Sequence, residues 1–171
     1  KKLISIQDVG SNYELKNKQK EFFDSYITQK PIINKKAIAE ELDNLEYPLY
    51  FIDFETFGPA VPQFQGLHPY EQYPFQYSCH IMDKNHNVSH KEYLHADMQD
   101  PRLPLAESLI NTLEKKGTIV AFNANFEKGV IKKLAKQFPQ HESELMNINE
   151  RFWDQLVIFR KYYSIFCLYA Q

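Results

Sequence analysis

Apolar positions along the chain change their spacing several times, and each change marks an element. From Glu14 to Thr28, Leu15, Phe22, Phe23, Tyr26 and Ile27 recur at helical spacing, which predicts a helix with a narrow apolar face. A second short helix is expected over Lys35 to Leu45, capped at or just before Asn34, with Ile38, Ala39, Leu42 and Leu45 on one side. The pattern then becomes a continuous aromatic and aliphatic run from Tyr47 to Phe54. This is a strand that Pro48 can open, because a missing N–H is tolerated there. Thr56 to Pro74 is crowded with Gly and Pro and reads as a long loop, kept ordered by its aromatic residues. Phe75 to Met82 and Val88 to Leu94 read as a hairpin around the turn Asp83 to Asn87.

His95 to Pro101 reads as loop, with Asp100 as the cap of a helix and Pro101 at its first position. Leu103, Leu105, Ala106, Leu109, Ile110 and Leu113 form that helix's apolar face. Lys115 and Lys116 suit its dipole, and Gly117 ends it. Thr118 to Phe122 is a short apolar strand of the buried parallel kind. A helix follows from near Phe126, with Val130, Ile131, Leu134 and Ala135 inward, and Pro139 stops it. Gln140 to Asn149 reads as another helix. Arg151 to Tyr163 reads as a short strand leading into a helix, and Ser164 to Gln171 is apolar. Three antiparallel strands, a helical crossover and a parallel strand predict an α/β mixed sheet flanked by helices. Residues 1–45 are expected to be a helical arm or the tail of an upstream domain, and 46–171 the main domain.

Composition adds limits. A chain of 171 residues can bury one core. A net charge of −2 provides no basic field, so nucleic-acid binding would depend on a local patch or on metal ions. Aromatic residues make up 15%, with 13 Phe and 11 Tyr, which leaves many rings available for stacking as well as for the core. Cys79 and Cys167 make no metal-binding spacing and read as reduced thiols of a cytoplasmic protein. No membrane partner is expected, since no apolar run approaches the roughly 20 residues of a span. The chain begins with Lys1 rather than Met, which suggests numbering that starts inside a longer protein with further domains.

The chemistry centres on the strand Tyr47 to Glu55. Asp53 and Glu55 stand two residues apart, so on a strand they project from one face. Two like charges held that close repel, and a divalent cation is the simplest reason to keep them. The plain alternative is a strand end where two acids reach solvent. A second apolar strand delivers Asn123, Asn125 and Glu127 at its carboxyl end. Here the plain alternative is helix capping by an Asn, with Glu127 serving the dipole. If the two strands are neighbours, three carboxylates converge at the place where open α/β sheets bind ligands. His80, His68, the rings of Tyr70, Tyr73, Phe75 and Tyr77, and Lys128, Lys132, Lys133 and Lys136 are weaker candidates. Each has an ordinary structural or solvated role beside the functional one. Ser78 and Ser108 lack a His/Asp setting for nucleophilic catalysis, and no phosphate-binding Gly loop is present.

Phe51-Ile52-Asp53-Phe54-Glu55-Thr56-Phe57 resembles the first motif of the DEDD-type 3′-5′ exonucleases, which have an RNase H-like fold. Phe122-Asn123-Ala124-Asn125-Phe126-Glu127 resembles their second, where Glu127 stands in place of Asp. The span from about Tyr47 to Tyr163 is more closely similar to an uncharacterised bacterial family within that superfamily, DUF2779. That likeness extends through Pro69-Tyr70, Pro74 to Ser78 and Asp100-Pro101. The resemblance implies an RNase H-like mixed sheet of three antiparallel strands followed by parallel ones. It implies Mg²⁺ or Mn²⁺ as cofactor, with Asp53 bridging two ions, Glu55 binding one, and Glu127 as a third ligand. It implies that Thr56, Phe57, Asn123, Asn125 and Phe126 contact a DNA or RNA substrate, and that Asp154 is a structural acid on the next strand. The third motif, a Tyr or His followed four or five residues on by Asp, has no match before Gln171. The resemblance therefore implies either a site completed further along a longer chain or a degenerate one. The expected function is a metal-dependent nuclease-like domain hydrolysing phosphodiester bonds. A binding module that kept the fold without the chemistry, and a hydrolase of small phosphate esters, are the alternatives.

Overall fold

A computed structural model describes residues 13–165 together with Ile6 and Val9. Cys167, Tyr169 and most of the apolar run after Ser164 lie outside the described residues. The order of elements is α1 (Asn17–Thr28), β1 (Ile32–Ile33), α2 (Lys35–Asp43), β2 (Leu49–Phe57), β3 (Tyr73–Met82), β4 (Val88–Leu94), α3 (Arg102–Leu113), β5 (Thr118–Ala121), α4 (Asn125–Gln137), α5 (Glu142–Glu150), β6 (Phe152–Asp154), α6 (Gln155–Tyr162) and β7 (Tyr163–Ser164). No helix among the described residues is long and apolar enough to cross a membrane. The chain divides into two compact units, residues 1–43 with 156–171, and residues 44–155.

In the first unit, β1 pairs antiparallel with β7. Asn34 caps α2 by accepting the Ala37 N–H at 3.1 Å, while its own N–H donates to Tyr162 O at 2.9 Å. Tyr162 Oη donates to Glu41 at 2.9 Å, and Ser164 Oγ donates to Glu21 at 2.9 Å. The end of α6 and β7 are thus fastened to α1, α2 and the residue before α2 by bonds between residues distant in sequence.

The second unit is a mixed α/β fold built on a five-stranded sheet of order β4-β3-β2-β5-β6. Strands β4, β3 and β2 are antiparallel neighbours, and β2, β5 and β6 run parallel. Tyr50, Ile52 and Phe54 of β2 and Tyr77 and Cys79 of β3 form one core with residues of α3, α4 and α5. β2 alternates from Tyr50 onwards, with Tyr50, Ile52 and Phe54 buried and Phe51, Asp53 and Glu55 exposed. Its apolar run therefore buries one face and keeps the acids on the other.

Three local readings change. Thr56, Phe57, Tyr73 and Pro74, expected in the loop, extend the β2–β3 ladder, with Thr56 opposite Pro74 and Phe57 opposite Tyr73. A β-bulge makes this possible: the register passes from Glu55–Gln76 to Thr56–Pro74 and leaves Phe75 unpaired. α3 begins at Arg102 with Pro101 in the cap position, and Asp100 accepts the Arg102 N–H at 3.0 Å. α3 ends at Leu113 with Glu114 in the cap position, so Lys115 and Lys116 fall outside its last turn and Gly117 does not end it; Arg151 meets the helix end and the turn that follows. Its guanidinium donates to Leu113 O at 3.1 Å, Glu114 O at 2.9 Å, Lys116 O at 2.6 Å and Gly117 O at 3.1 Å. Gly117 takes φ +93°, and a Cβ there would stand 2.3 Å from Pro48 O, so only glycine makes this turn.

Candidate functional site

The ladder between β2 and β5 ends at Phe51–Val120, while β2 runs on to Phe57. Asp53 and Glu55 therefore project beyond the carboxyl end of their parallel neighbour. At that end β5 turns off into α4. A cleft of about 250 Å³ opens there, lined by Phe51, Asp53, Ser78, His80, Phe122 and Gln155 among others.

The turn from β5 into α4 is sharp. Asn123 adopts φ 65°, in the left-handed region that Asn tolerates. Its backbone N–H donates at 2.9 Å to Oδ1 of Asp154, whose residue pairs with Ala121 at the end of β6. The expected side-chain capping by Asn123 or Asn125 is absent: Ala124 occupies the cap position with no side-chain bond. The positive φ and the Asp154 bond settle the turn instead. Ala124 is buried under it, and Glu127 follows in the first turn of α4.

Glu127 is only 5% exposed, and its Oε2 is buried with no hydrogen-bond partner. Burial pushes its carboxyl above the usual range, and the negative charges of Asp53 and Asp154 push it further. The fold therefore brings both Asp53 and Asp154 within electrostatic reach of Glu127. Glu55 shares Asp53's exposed face. Asp154, read from the sequence as structural, has that role through Asn123 and also contributes to the field at Glu127.

A set of carboxylates that repel one another, one with a buried unsatisfied oxygen, has the chemistry of a hard divalent cation site. Among the described residues no three His, Cys, Asp or Glu side chains form a ready-made metal cage. Mg²⁺ does not require one, since it is commonly held by one or two carboxylates together with waters and substrate phosphates.

Of the residues expected to contact substrate, Phe57, Asn123, Asn125 and Phe126 are exposed and Thr56 is half-buried. Phe122, expected as the last residue of its strand, leaves the ladder and is 61% exposed beside Asp53 in the cleft. Its neighbour Asn123 was the signal for this, because the strand could not continue through the turn. Tyr77 is removed from any stacking role, since it is buried and its hydroxyl bonds Ser108 and Thr112 at 2.8 and 2.9 Å. His80 is exposed, with its ring 4.5 Å from that of His90, and His90 Nε2 lies 3.0 Å from Ser78 Oγ. That cross-strand pair depends on the hairpin register, and His90 carried no signal of its own in the sequence. His68 is exposed, and its backbone N–H donates to Glu71 at 3.0 Å. Lys132, Lys133 and Lys136 are exposed on α4, and Lys128 is half-buried.

The family described as "Domain of unknown function (DUF2779)" matches residues 50–169, which include every acid of the site. No curated protein and no solved structure matches the chain.

Proposed function

The chain belongs to the DUF2779 family, and from that premise we propose that its second unit is a metal-dependent nuclease-like domain of RNase H-like fold, of the DEDD 3′-5′ exonuclease type, hydrolysing phosphodiester bonds of DNA or RNA. The observation that carries this reading is Glu127, whose buried Oε2 has no hydrogen-bond partner and whose carboxyl feels the charges of Asp53 and Asp154. A carboxylate placed so is costly unless a cation joins it. The sheet supports the same reading, with three antiparallel strands followed by two parallel ones and the acids at the strand ends.

Asp53, Glu55 and Glu127 would hold Mg²⁺ or Mn²⁺. When bound, such ions supply a water made nucleophilic at neutral pH and offset charge on the leaving oxygen. The chain's own residues do the rest. Asp154 holds Asn123 and thereby sets the start of α4 and the direction of Glu127. Phe122, beside Asp53 in the cleft, and Phe126, next to Glu127 in the chain, are exposed rings, able to stack on bases in a sequence-tolerant way, and Phe57 is a further exposed ring two residues on from Glu55. Lys132, Lys133 and Lys136 offer charge to phosphates along α4.

The test is hydrolysis of end-labelled single-stranded DNA and RNA with Mg²⁺ or Mn²⁺. Cleavage that is lost in Asp53→Ala supports the reading, and cleavage unchanged by that substitution contradicts it. A binding module without chemistry is the second reading. It is favoured by Glu127 standing where the resemblance leads one to expect Asp. Retained binding of single strands without cleavage at millimolar Mn²⁺ would favour it.

A further inference from the structure

The exposed face of the sheet carries a second group of ligand-type side chains, on the two strands beside the acids. The ladder sets them in adjacent rows: Phe51, His80 and His90 stand opposite one another, and Asp53, Ser78 and Glu92 form the next row. His80, His90 and Glu92 are exposed and Ser78 is half-buried. The two imidazole rings lie with centroids 4.5 Å apart and planes tilted by 32°. Exposed rings bury little apolar surface by meeting, so packing is a weak reason for the pair. Two imidazoles held opposite each other also repel once both are protonated. A shared cation reverses that relation, because each neutral ring offers a lone pair and imidazole nitrogen suits zinc-like divalent ions. Zinc–nitrogen bonds of about 2.0–2.1 Å bring two imidazole rings to roughly the spacing seen here. Ser78 supplies an orienting partner, since its Oγ lies 3.0 Å from His90 Nε2. With Nε2–H donating to that hydroxyl, Nδ1 of His90 keeps its lone pair for the ion, as a ligating histidine does when a neighbour holds its other nitrogen. Asp53 and Glu92, in the adjoining row, add negative charge that favours a cation without serving as ligands. Two histidines leave the remaining positions of a tetrahedral ion to water, consistent with no three-residue cage among the described residues. His80 is the diagonal neighbour of Asp53 across the β2–β3 ladder, roughly 7–8 Å away, and lines the same cleft.

We propose that His80 and His90 form a two-histidine site for a borderline divalent transition-metal cation such as Zn²⁺, separate from the hard-cation position at Asp53 and Glu127. The inference goes beyond the nuclease-like reading and does not rest on it.

The experiment is calorimetric titration of Zn²⁺ into the protein in millimolar Mg²⁺, a hard cation that fills oxygen-rich positions and competes poorly for imidazole. Saturable Zn²⁺ binding is expected. His80→Ala is expected to weaken it about tenfold or more, as is His90→Ala, with circular dichroism confirming that both variants are folded. Both substitutions fall on exposed positions, where folding tolerates the change. Glu127→Gln is expected to leave the Zn²⁺ affinity within about twofold, because the two sites share no ligand. A flat isotherm for the unsubstituted protein, or binding that neither histidine substitution alters, overturns the proposal. Weakening by only one of the two overturns the two-histidine assignment. Binding that Glu127→Gln weakens as much as the histidine substitutions do also overturns it, since the ion then lies at the acids.

Discussion

The backbone N–H of Asn123 donates to Oδ1 of Asp154 at 2.9 Å, and this one bond links β6 to the turn that aims Glu127. Asn123 is at φ 65° because the turn requires it. On the proposed nuclease reading, Asp154→Ala is expected to lower cleavage by about 10- to 100-fold, comparable to losing a group that orients a metal ligand, here through the turn that sets Glu127. Asn123→Val is expected to destabilise by about 1–3 kcal/mol through backbone strain, while Asn123→Gly is nearly neutral. Chemical denaturation of the three variants beside their turnover checks both halves.

Glu127 makes a pH prediction. A carboxyl whose folded pKa is raised above its unfolded value costs stability once the pH passes the unfolded value, and the full cost is reached above the folded one. For Glu127 burial is the main cause, with Asp53 and Asp154 adding to it. Glu127→Gln is therefore expected to raise the melting temperature of the metal-free protein at pH 7. The gain should disappear at pH values well below the ordinary glutamate value of 4.5. A melting series in EDTA from pH 4 to pH 8 reads the difference directly.

At Asp100 the sign reverses. Burial pushes its pKa up, yet the hydrogen bonds and charge of Arg102 outweigh that and hold the carboxyl below its ordinary value. Its stabilising contribution is present above the unfolded pKa and is lost as the pH falls through the folded one. Asp100→Asn leaves the Arg102 guanidinium buried without its counter-ion. The expected cost is about 3 kcal/mol at pH 7, shrinking in acid. Urea unfolding at pH 7 and at pH 3 tests this.

Arg151 holds the carboxyl end of α3 and the turn after it by four backbone carbonyls, those of Leu113, Glu114, Lys116 and Gly117. Lysine cannot reproduce that planar fork. Arg151→Lys is expected to cost about 2 kcal/mol in urea unfolding, with little change in cleavage because the residue touches none of the acids.

These residues also mark how far the sequence can be read. The continuous apolar run from Tyr47 and the i, i+2 spacing of Asp53 and Glu55 announced the strand and a shared face for its acids; that the run alternates in burial after Tyr50 emerges only in the fold. The apolar run of β5 followed by Asn123, Asn125 and Glu127 pointed to the second strand end of the candidate site. Other features were hidden because they depend on long-range register. The bulge at Phe75 carries β2 and β3 past the apparent start of the loop, and no local signal shows which residue a ladder will skip. The His80–His90 pair exists only through the β3–β4 register. Arg151 reaches α3 across a separation that composition does not record, and β1 meets β7 from opposite ends of the chain. Asn123 looked like a side-chain cap because Asn usually caps, and here its backbone conformation was used instead.

The central claim is that Asp53 and Glu127 belong to one divalent-cation site. Its most direct test is calorimetric titration of Mn²⁺ into the protein, into Asp53→Asn and into Glu127→Gln, each shown to be folded. The expected result is saturable binding at millimolar or lower Mn²⁺ that both substitutions weaken at least tenfold. Binding that neither substitution alters, or a flat isotherm for the unsubstituted protein, would contradict it.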